Sequence, residues 1–535
     1  IMAKKEAKQS ETTKILEKGI ENIVEQIEKA PKQEVGKKKP VQPIIKVEEK
    51  DKIITEKSKN ELGITADKDD FSDWFTQLMI KAELADYTEV SGCMVFRPNA
   101  YAIWEKVVQE TDKRFKKLGV KNAYFPLFIP EKLFNIEKEH VEGFSPEVAW
   151  VTQAGDSPLA ERLAVRPTSE TIMYPSYSKW IRSWRDLPLK INQWNNVVRW
   201  EFKHPVPFFR TREFLWNELH TVLATQKEAI EEGAEIIDAY KEVCEDYMAI
   251  YGMYGQKTDS EKFAGAVFSR KLHYIMPNGK VAEGSCFHHD GQNFAKPYHI
   301  EFLNKEGNKE FGWQNTYAIS TRMLGVMFAI HADDKGLVLP PKIAPNPIII
   351  IPIIFEDSKA RVIKKAKEIA EELKEFSPIV DEREDVKAGF KFNEYELKGI
   401  PLRIEIGPKD LEENSVIISR RDIQQKEKVK ISDLKAKIAR TLEEIQKNLF
   451  NKSKKLFESK IKHAQTLNEL KIAIEDKKVA ISPLCKNEKC EELLKFETKG
   501  AKTLFIDDKN PVKPNEKCII CNEKAEYNVY IGKTY

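Results

Sequence analysis

Arg199 and Glu201 stand two residues apart in the stretch VVRWEFKHPVPFFRTREFLWNELHTVLAT, Val197 to Thr225. They alternate with Val198, Trp200 and Phe202, so one face of a predicted strand carries a guanidinium and a carboxylate. Pro205 and Pro207 break that strand and set a turn. Arg210, Thr211, Arg212 and Glu213 follow and lead into Phe214 and Trp216. Such a hairpin aims several guanidinium groups, one carboxylate and two large rings into a single cleft. Guanidinium forks suit phosphate oxygens, and flat rings suit a nucleobase. Taken alone, Arg-x-Glu would fit a surface hairpin with paired charges equally well.

Other stretches carry polar groups of related use. Ala164 to Glu170 reads AVRPTSE, an apolar strand that delivers Arg166, Thr168 and Glu170 into a turn at Pro167. A hydroxyl and a carboxylate at alternate spacing can hold one small ligand, while Ser169 can cap a helix starting at Thr171. Gly284 to Phe294 reads GSCFHHDGQNF, with Glu283 in front. Cys286, His288 and His289 do not make a good zinc set, because neighbouring residues of a strand face opposite ways. Ser320 and Arg322 precede an apolar helix within YAISTRMLGVMFAIHADDKGLVLPP. Near the far end, Cys485-x4-Cys490 and Cys518-x2-Cys521 form two thiolate pairs, which suit tetrahedral Zn²⁺.

The elements that position these groups read in order. Leu16, Ile20, Ile23, Val24 and Ile27 predict one amphipathic helix in a charged extension. Asp69 and Asp70 can cap a helix with the stripe Phe71, Phe75, Leu78, Met79 and Ala82. Ile103, Trp104, Val107, Val108 and Leu118 mark a longer helix that Gly119 can end, before a strand from Asn122 to Phe125. Ile230, Ala234, Ile237, Tyr240 and Cys244 predict another helix. Past Pro345 the pattern alternates strand and helix: Ile348 to Phe355 as a buried strand, Ser358 as a cap, and Val362, Ala366, Ile369, Ala370 and Leu373 as a helix stripe. A long helix follows on Leu434, Ile438, Leu442, Ile445 and Leu449.

The totals set outer bounds. A chain of 535 residues allows about three domains. A net charge of +3 neither requires nor excludes a nucleic-acid partner. No apolar run approaches the ~18 residues of a membrane span. Seven cysteines, four of them clustered, argue for metal binding over disulfides, and the expected location is cytoplasmic.

The run FKHPVPFFRTREFLW resembles motif 2 of class II aminoacyl-tRNA synthetases, in the form of prolyl-tRNA synthetases of the archaeal and eukaryotic type. The helix and strand before Pro126 resemble motif 1, the family's dimer interface, and the stretch around Ser320 and Arg322 resembles motif 3. GSCFHHDGQNF is similar to the family's QGGTSHxLGQNF, with Glu283 where the family has Gln and Cys286 where it has Thr. A carboxylate there would repel phosphates unless it held a metal ion. The resemblance covers about residues 68 to 535. Residues 1–67, outside it, read by composition as a charged, partly disordered extension. The resemblance implies an α+β catalytic domain with an antiparallel six-stranded sheet (68–342). An α/β anticodon-binding domain (343–445) and a small C-terminal α/β zinc domain (446–535) would follow.

The function implied is ATP-dependent activation of L-proline to prolyl-adenylate and transfer to the 3′ end of tRNA(Pro). A catalytically impaired tRNA-binding or regulatory paralogue is the alternative. By the same resemblance Arg199 and Arg322 are catalytic. Glu201, Arg210, Thr211, Phe214, Glu283, Cys286 and Ser320 join them around ATP and Mg²⁺. Phe144, Thr168, Glu170, Trp216 and His288, with Arg199, build the proline pocket. Cys485, Cys490, Cys518 and Cys521 hold a structural Zn²⁺. A homodimer is expected, other synthetases are candidate partners of the extension, and no membrane is involved. Arg383 is one candidate for reading anticodon bases.

Overall fold

A computed structural model describes residues 63–134, 147–201 and 205–535. The helix expected around Leu16 to Ile27 lies outside the described residues, as does Phe144. Residues 62–535 form one compact unit.

The catalytic part is built on a seven-stranded sheet. Its order is Lys121–Asn122, Leu189–Val198, Glu213–Leu223, Trp313–Ala318, Val281–Gly291, Phe268–Ile275 and Met253–Gln256. The last six pair antiparallel. The seventh, Lys121–Asn122, adds a parallel edge beside Ile191 and Asn192. The expected strand to Phe125 stops early because side chains replace the ladder there. Asn192 Nδ2 donates to Asn122 Oδ1 (2.9 Å), and Phe125 N donates to Gln193 Oε1 (2.6 Å).

Helices cover the sheet. Phe71–Lys81 starts on Asp70, whose carboxylate accepts from Asp73 N, and buries Phe71, Trp74, Phe75, Leu78 and Met79. Pro98–Lys117 ends before Gly119, which adopts φ 78. Gln226–Glu242 buries Ile237 and Tyr240 of the expected stripe, but its first turns roll away from Ile230 and Ala234. Ile230 is exposed, whereas Ala229, Glu232, Gly233, Ile236, Ile237 and Tyr240 are buried. The reason is polar: Glu232 accepts from Thr221 Oγ1 (2.6 Å) and Tyr317 OH (3.0 Å) and pairs with Lys190 (3.2 Å).

A three-stranded sheet, Phe128–Pro130, Ser157–Val165 and Trp150–Ala154, delivers residues 166–170 to the main sheet. The anticodon-type part is a five-stranded mixed sheet ordered Ile379–Val380, Ile348–Pro352, Leu402–Ile406, Ser415–Arg420 and Lys426–Lys430. Its first strand pairs are parallel and the rest antiparallel. The buried strand ends at Pro352, not Phe355, and Ser358 makes no side-chain cap, its hydroxyl donating back to Phe355 O (3.4 Å). Arg383 is engaged by Asp381 and Glu394, each at 2.6 Å. Helix Leu434–Ser459 runs unbroken across residue 445. Beyond it lies a four-stranded sheet, Ile461–His463, Val479–Leu484, Tyr527–Gly532 and Lys502–Ile506, with helices Leu467–Glu475 and Glu488–Glu497. Among the described residues no helix is long and apolar enough to cross a membrane.

Candidate active site

Side chains on a strand alternate between faces, so residues two apart share one. Phe214, Trp216 and Glu218 on one strand, Thr316 and Ala318 on the next, Cys286 and His288 on the third and Lys271 on the fourth all line a single cavity of about 460 Å³. Register aligns them: His288 lies opposite Thr316, and Cys286 opposite both Ala318 and Lys271. Thr168, Glu170, Arg199, Glu201, Thr211, Glu283, Ser320 and Arg322 close the wall. Arg210 does not line the cavity.

The strand that was to carry Arg199 and Glu201 ends at Val198. Arg199 still extends the pairing, its N–H donating to Arg212 O (2.7 Å). Its guanidinium donates from Nε to Pro167 O (2.9 Å) and lies over the rings of Trp216 (5.1 Å) and Phe214 (5.6 Å). Those rings meet edge to face at 5.6 Å. Trp200 instead faces outward under Arg212, at 4.4 Å. Arg322 opens helix Arg322–His331 and donates to Phe209 O and to the carbonyl of Glu283, both at 3.3 Å. Tyr535 stacks on Phe209 at 4.3 Å.

The Thr168–Glu170 corner rests on a buried acid. Thr168 Oγ1 donates to Glu170. Ser169 does not cap the helix; its hydroxyl and N–H donate to Glu218, at 2.7 and 2.8 Å. Burial alone would raise the Glu218 carboxyl, but bonds from His220, Asn195 and Ser169 hold it below its ordinary value. His288 Nδ1 meets Ser269 Oγ at 2.7 Å, and burial, aided by the Lys271 charge, keeps that imidazole neutral well below the usual histidine range. His289 faces the other way, onto Asn315 and Trp313.

Glu283 is not a bare carboxylate facing the cavity. Lys257 reaches one oxygen at 2.7 Å and Lys271 the other at 2.8 Å. Against the effect of burial, those two cations hold Glu283 ionised well below the usual carboxylate range. No metal ion is needed to cancel its charge. Burial pushes the Cys286 thiol up, so it stays protonated. Sequence reasoning missed Glu218 and Lys271, along with Lys257 behind them. Strand alternation from Trp216 puts Glu218 on the cavity face, but nothing local marks its role, nor Lys271 or Lys257.

The cysteine cluster is a separate site. The four Sγ atoms of Cys485, Cys490, Cys518 and Cys521 lie within 4.8 Å of one another, with Cys485 at 3.5 Å from Cys490 and 3.7 Å from Cys521. A tetrahedron with Zn–S bonds of ~2.3 Å has sulfur–sulfur edges of ~3.8 Å, so the set fits that ion.

Comparison with known proteins agrees with this layout. A family model for the class II tRNA synthetase core domain (G, H, P, S and T) matches residues 150–331, an anticodon binding domain model matches 348–441, and a prolyl-tRNA synthetase C-terminal model matches 467–535. The proline--tRNA ligase of Natranaerobius thermophilus is 42% identical over 88% of this chain and 98% of its own length. The cytoplasmic proline--tRNA ligase of Arabidopsis thaliana is 42% identical over 90% of this chain and 92% of its own. The crystal structure of prolyl-tRNA synthetase from Cryptosporidium parvum complexed with halofuginone and AMPPNP superposes with a TM-score of 0.85, at 43% identity, over 89% of this chain and 100% of that one. Domain order, cavity and relatives lead to one assignment: the chain belongs to the prolyl-tRNA synthetase family.

Proposed function

We propose that this chain activates L-proline with ATP and charges tRNA(Pro), through the following residues. The observation that carries the proposal is one cavity in which Arg199 and Arg322 stand beside Thr168, Glu170 and Trp216. A carboxylate oxygen of proline attacks the α-phosphorus of ATP. The bond to the bridging oxygen breaks, and pyrophosphate leaves with its electron pair. The terminal adenosine hydroxyl of the tRNA then attacks the prolyl carbonyl, and AMP leaves. Neither step needs a protein nucleophile, so catalysis rests on positioning and charge neutralisation.

Arg199 bridges the α-phosphate and the proline carboxylate. Its bond to Pro167 O and the rings beneath it hold the fork in place. Arg322 and Arg210 meet the β- and γ-phosphates of ATP, which enters as its Mg²⁺ complex. Phe214 stacks on adenine, Glu201 accepts from its amino group, and Thr211 and Ser320 complete the nucleotide wall. Glu170 accepts from the proline ammonium, with Thr168, Trp216 and His288 around the ring.

Zn²⁺ would bind the four cysteines and tie two knuckles together. Domain limits of 68–342 for catalysis and 343–459 for anticodon binding suit the unbroken helix Leu434–Ser459, leaving 460–535 for the zinc domain. A cytoplasmic homodimer, with residues 1–67 as the contact to other synthetases, completes the proposal. The paralogue alternative drew its support from Glu283 and Cys286, and the two lysines on the Glu283 carboxylate remove the first of these.

ATP–pyrophosphate exchange across the amino acids tests the function. Strong exchange with proline alone, dependent on Mg²⁺, is the expected result. Absence of exchange with every amino acid would overturn it.

A further inference from the structure

The motif-3 arginine and a lysine that belongs to no motif converge on one residue. Arg322 Nη1 donates to the backbone carbonyl of Glu283 at 3.3 Å, while Lys271 Nζ donates to its side chain at 2.8 Å. Lys257 holds the second carboxylate oxygen at 2.7 Å. The two lysines differ in exposure. The Lys257 side chain is 1% exposed and does not line the cavity, whereas Lys271 is 22% exposed and does. Lys257 also lies 3.9 Å from Glu261, which Lys502 meets at 2.5 Å. Three lysines against two carboxylates leave one net positive charge, and Lys271 is the cation that presents it at the cavity wall.

An ammonium has three donors. Among the described residues Lys271 spends one, on Glu283, which leaves two for a ligand. Its cross-strand partner Cys286 fixes its direction, because opposite residues of an antiparallel pair share a face. A second cation beside Arg322 in a half-buried wall is costly unless a polyanion joins them.

We propose that Lys271 is a further nucleotide contact of this chain, a cation that Glu283 and Lys257 hold against an oxygen of the ATP sugar–phosphate. This rests on the adenylation reading given above. The glutamate is then a positioning residue. It anchors Lys271 on its side chain and Arg322 on its carbonyl.

The test uses the full chain with Lys271→Met, Lys271→Arg and the double variant Lys271→Met/Glu283→Gln. Exchange assays yield separate KM values for ATP and proline, and calorimetry reads ATP binding without turnover. A charge-assisted contact predicts an ATP KM raised by about tenfold or more in Lys271→Met. The proline KM should stay within about twofold, and Lys271→Arg should keep most ATP affinity. The double variant decides the cause, since it removes the cation without stranding a carboxylate. It should remain weak for ATP. Recovery of the parent ATP KM by the double variant would overturn the proposal, because Lys271 would then serve only to neutralise Glu283. An unchanged ATP KM in Lys271→Met, or an equal rise in both KM values, would overturn it too. If the unaltered chain showed no proline exchange, the functional reading would fail, and calorimetry with ATP would still decide the role of Lys271.

Discussion

Asp290 is an acid that no motif accounts for. It is fully buried, accepts from Thr316 Oγ1 at 2.7 Å, and burial pushes its carboxyl up to about 8. It is therefore protonated at neutral pH, whereas an unfolded aspartate ionises near ~4. Between roughly pH 4 and 8 the folded chain binds this proton more tightly than the unfolded chain, so stability from this group falls as pH rises through that window. Asp290→Asn keeps the shape and cannot ionise. Its melting temperature should exceed the parent's by a margin that grows from pH 5 to pH 8.5; a margin independent of pH would refute the argument. At this scale much of the site was legible in the sequence. Arg199, Glu201, Phe214, Trp216, Thr168, Glu170 and Arg322 reach one cavity, because their types and spacing report which side chains one turn or strand face can present. Lys271, Glu218 and Asp290 were not legible. Their roles come from cross-strand register and burial, which no local pattern encodes.

Among the elements, the cysteine knuckles were the plainest signal, since soft ligands at short spacing have few other uses. Cys485 follows the end of strand Val479–Leu484, and Cys490 sits in the first turn of helix Glu488–Glu497, so metal loss should loosen both elements. The chain should purify with about one zinc per chain by elemental analysis. Cys518→Ser should lose that zinc and melt several degrees lower; a zinc-free parent with the same melting point as the zinc-loaded chain would sink the idea. Helix Gln226–Glu242 teaches the opposite lesson. Its apolar count favoured a face with Ile230, but the buried hydrogen bonds of Glu232 decided the rotation. Hydrophobic periodicity gives no weight to a buried carboxylate whose partners lie on other strands.

For the whole molecule, the joint between the catalytic and anticodon-type parts includes an ion pair whose arginine is buried and whose aspartate is half-exposed. Arg421, just past strand Ser415–Arg420, donates to Asp333 at 2.7 Å and to the carbonyls of Glu396 (2.9 Å) and Gly336 (3.2 Å). Asp333 follows the helix that Arg322 begins. Losing the charged donor of this half-exposed pair costs on the order of 1–3 kcal/mol. Arg421→Met should lower tRNA charging by about tenfold or more and leave proline exchange within about twofold, because only charging needs both parts in register. Equal losses in both assays would refute that division. The sequence announced two parts here by its change of pattern near Pro345, yet the joint was invisible, since its partners are far apart along the chain. The last residues make a longer reach. Val281 pairs with Thr534, the Tyr535 ring stacks on Phe209, and Asn278 bonds the Tyr535 hydroxyl across 257 positions. A ribosome adding about 5–20 residues per second would therefore leave the Val281 end of this inner strand and the Asn278 turn without these contacts for roughly 13–50 s. This corner of the catalytic fold therefore stays incomplete until residues 534 and 535 have been made.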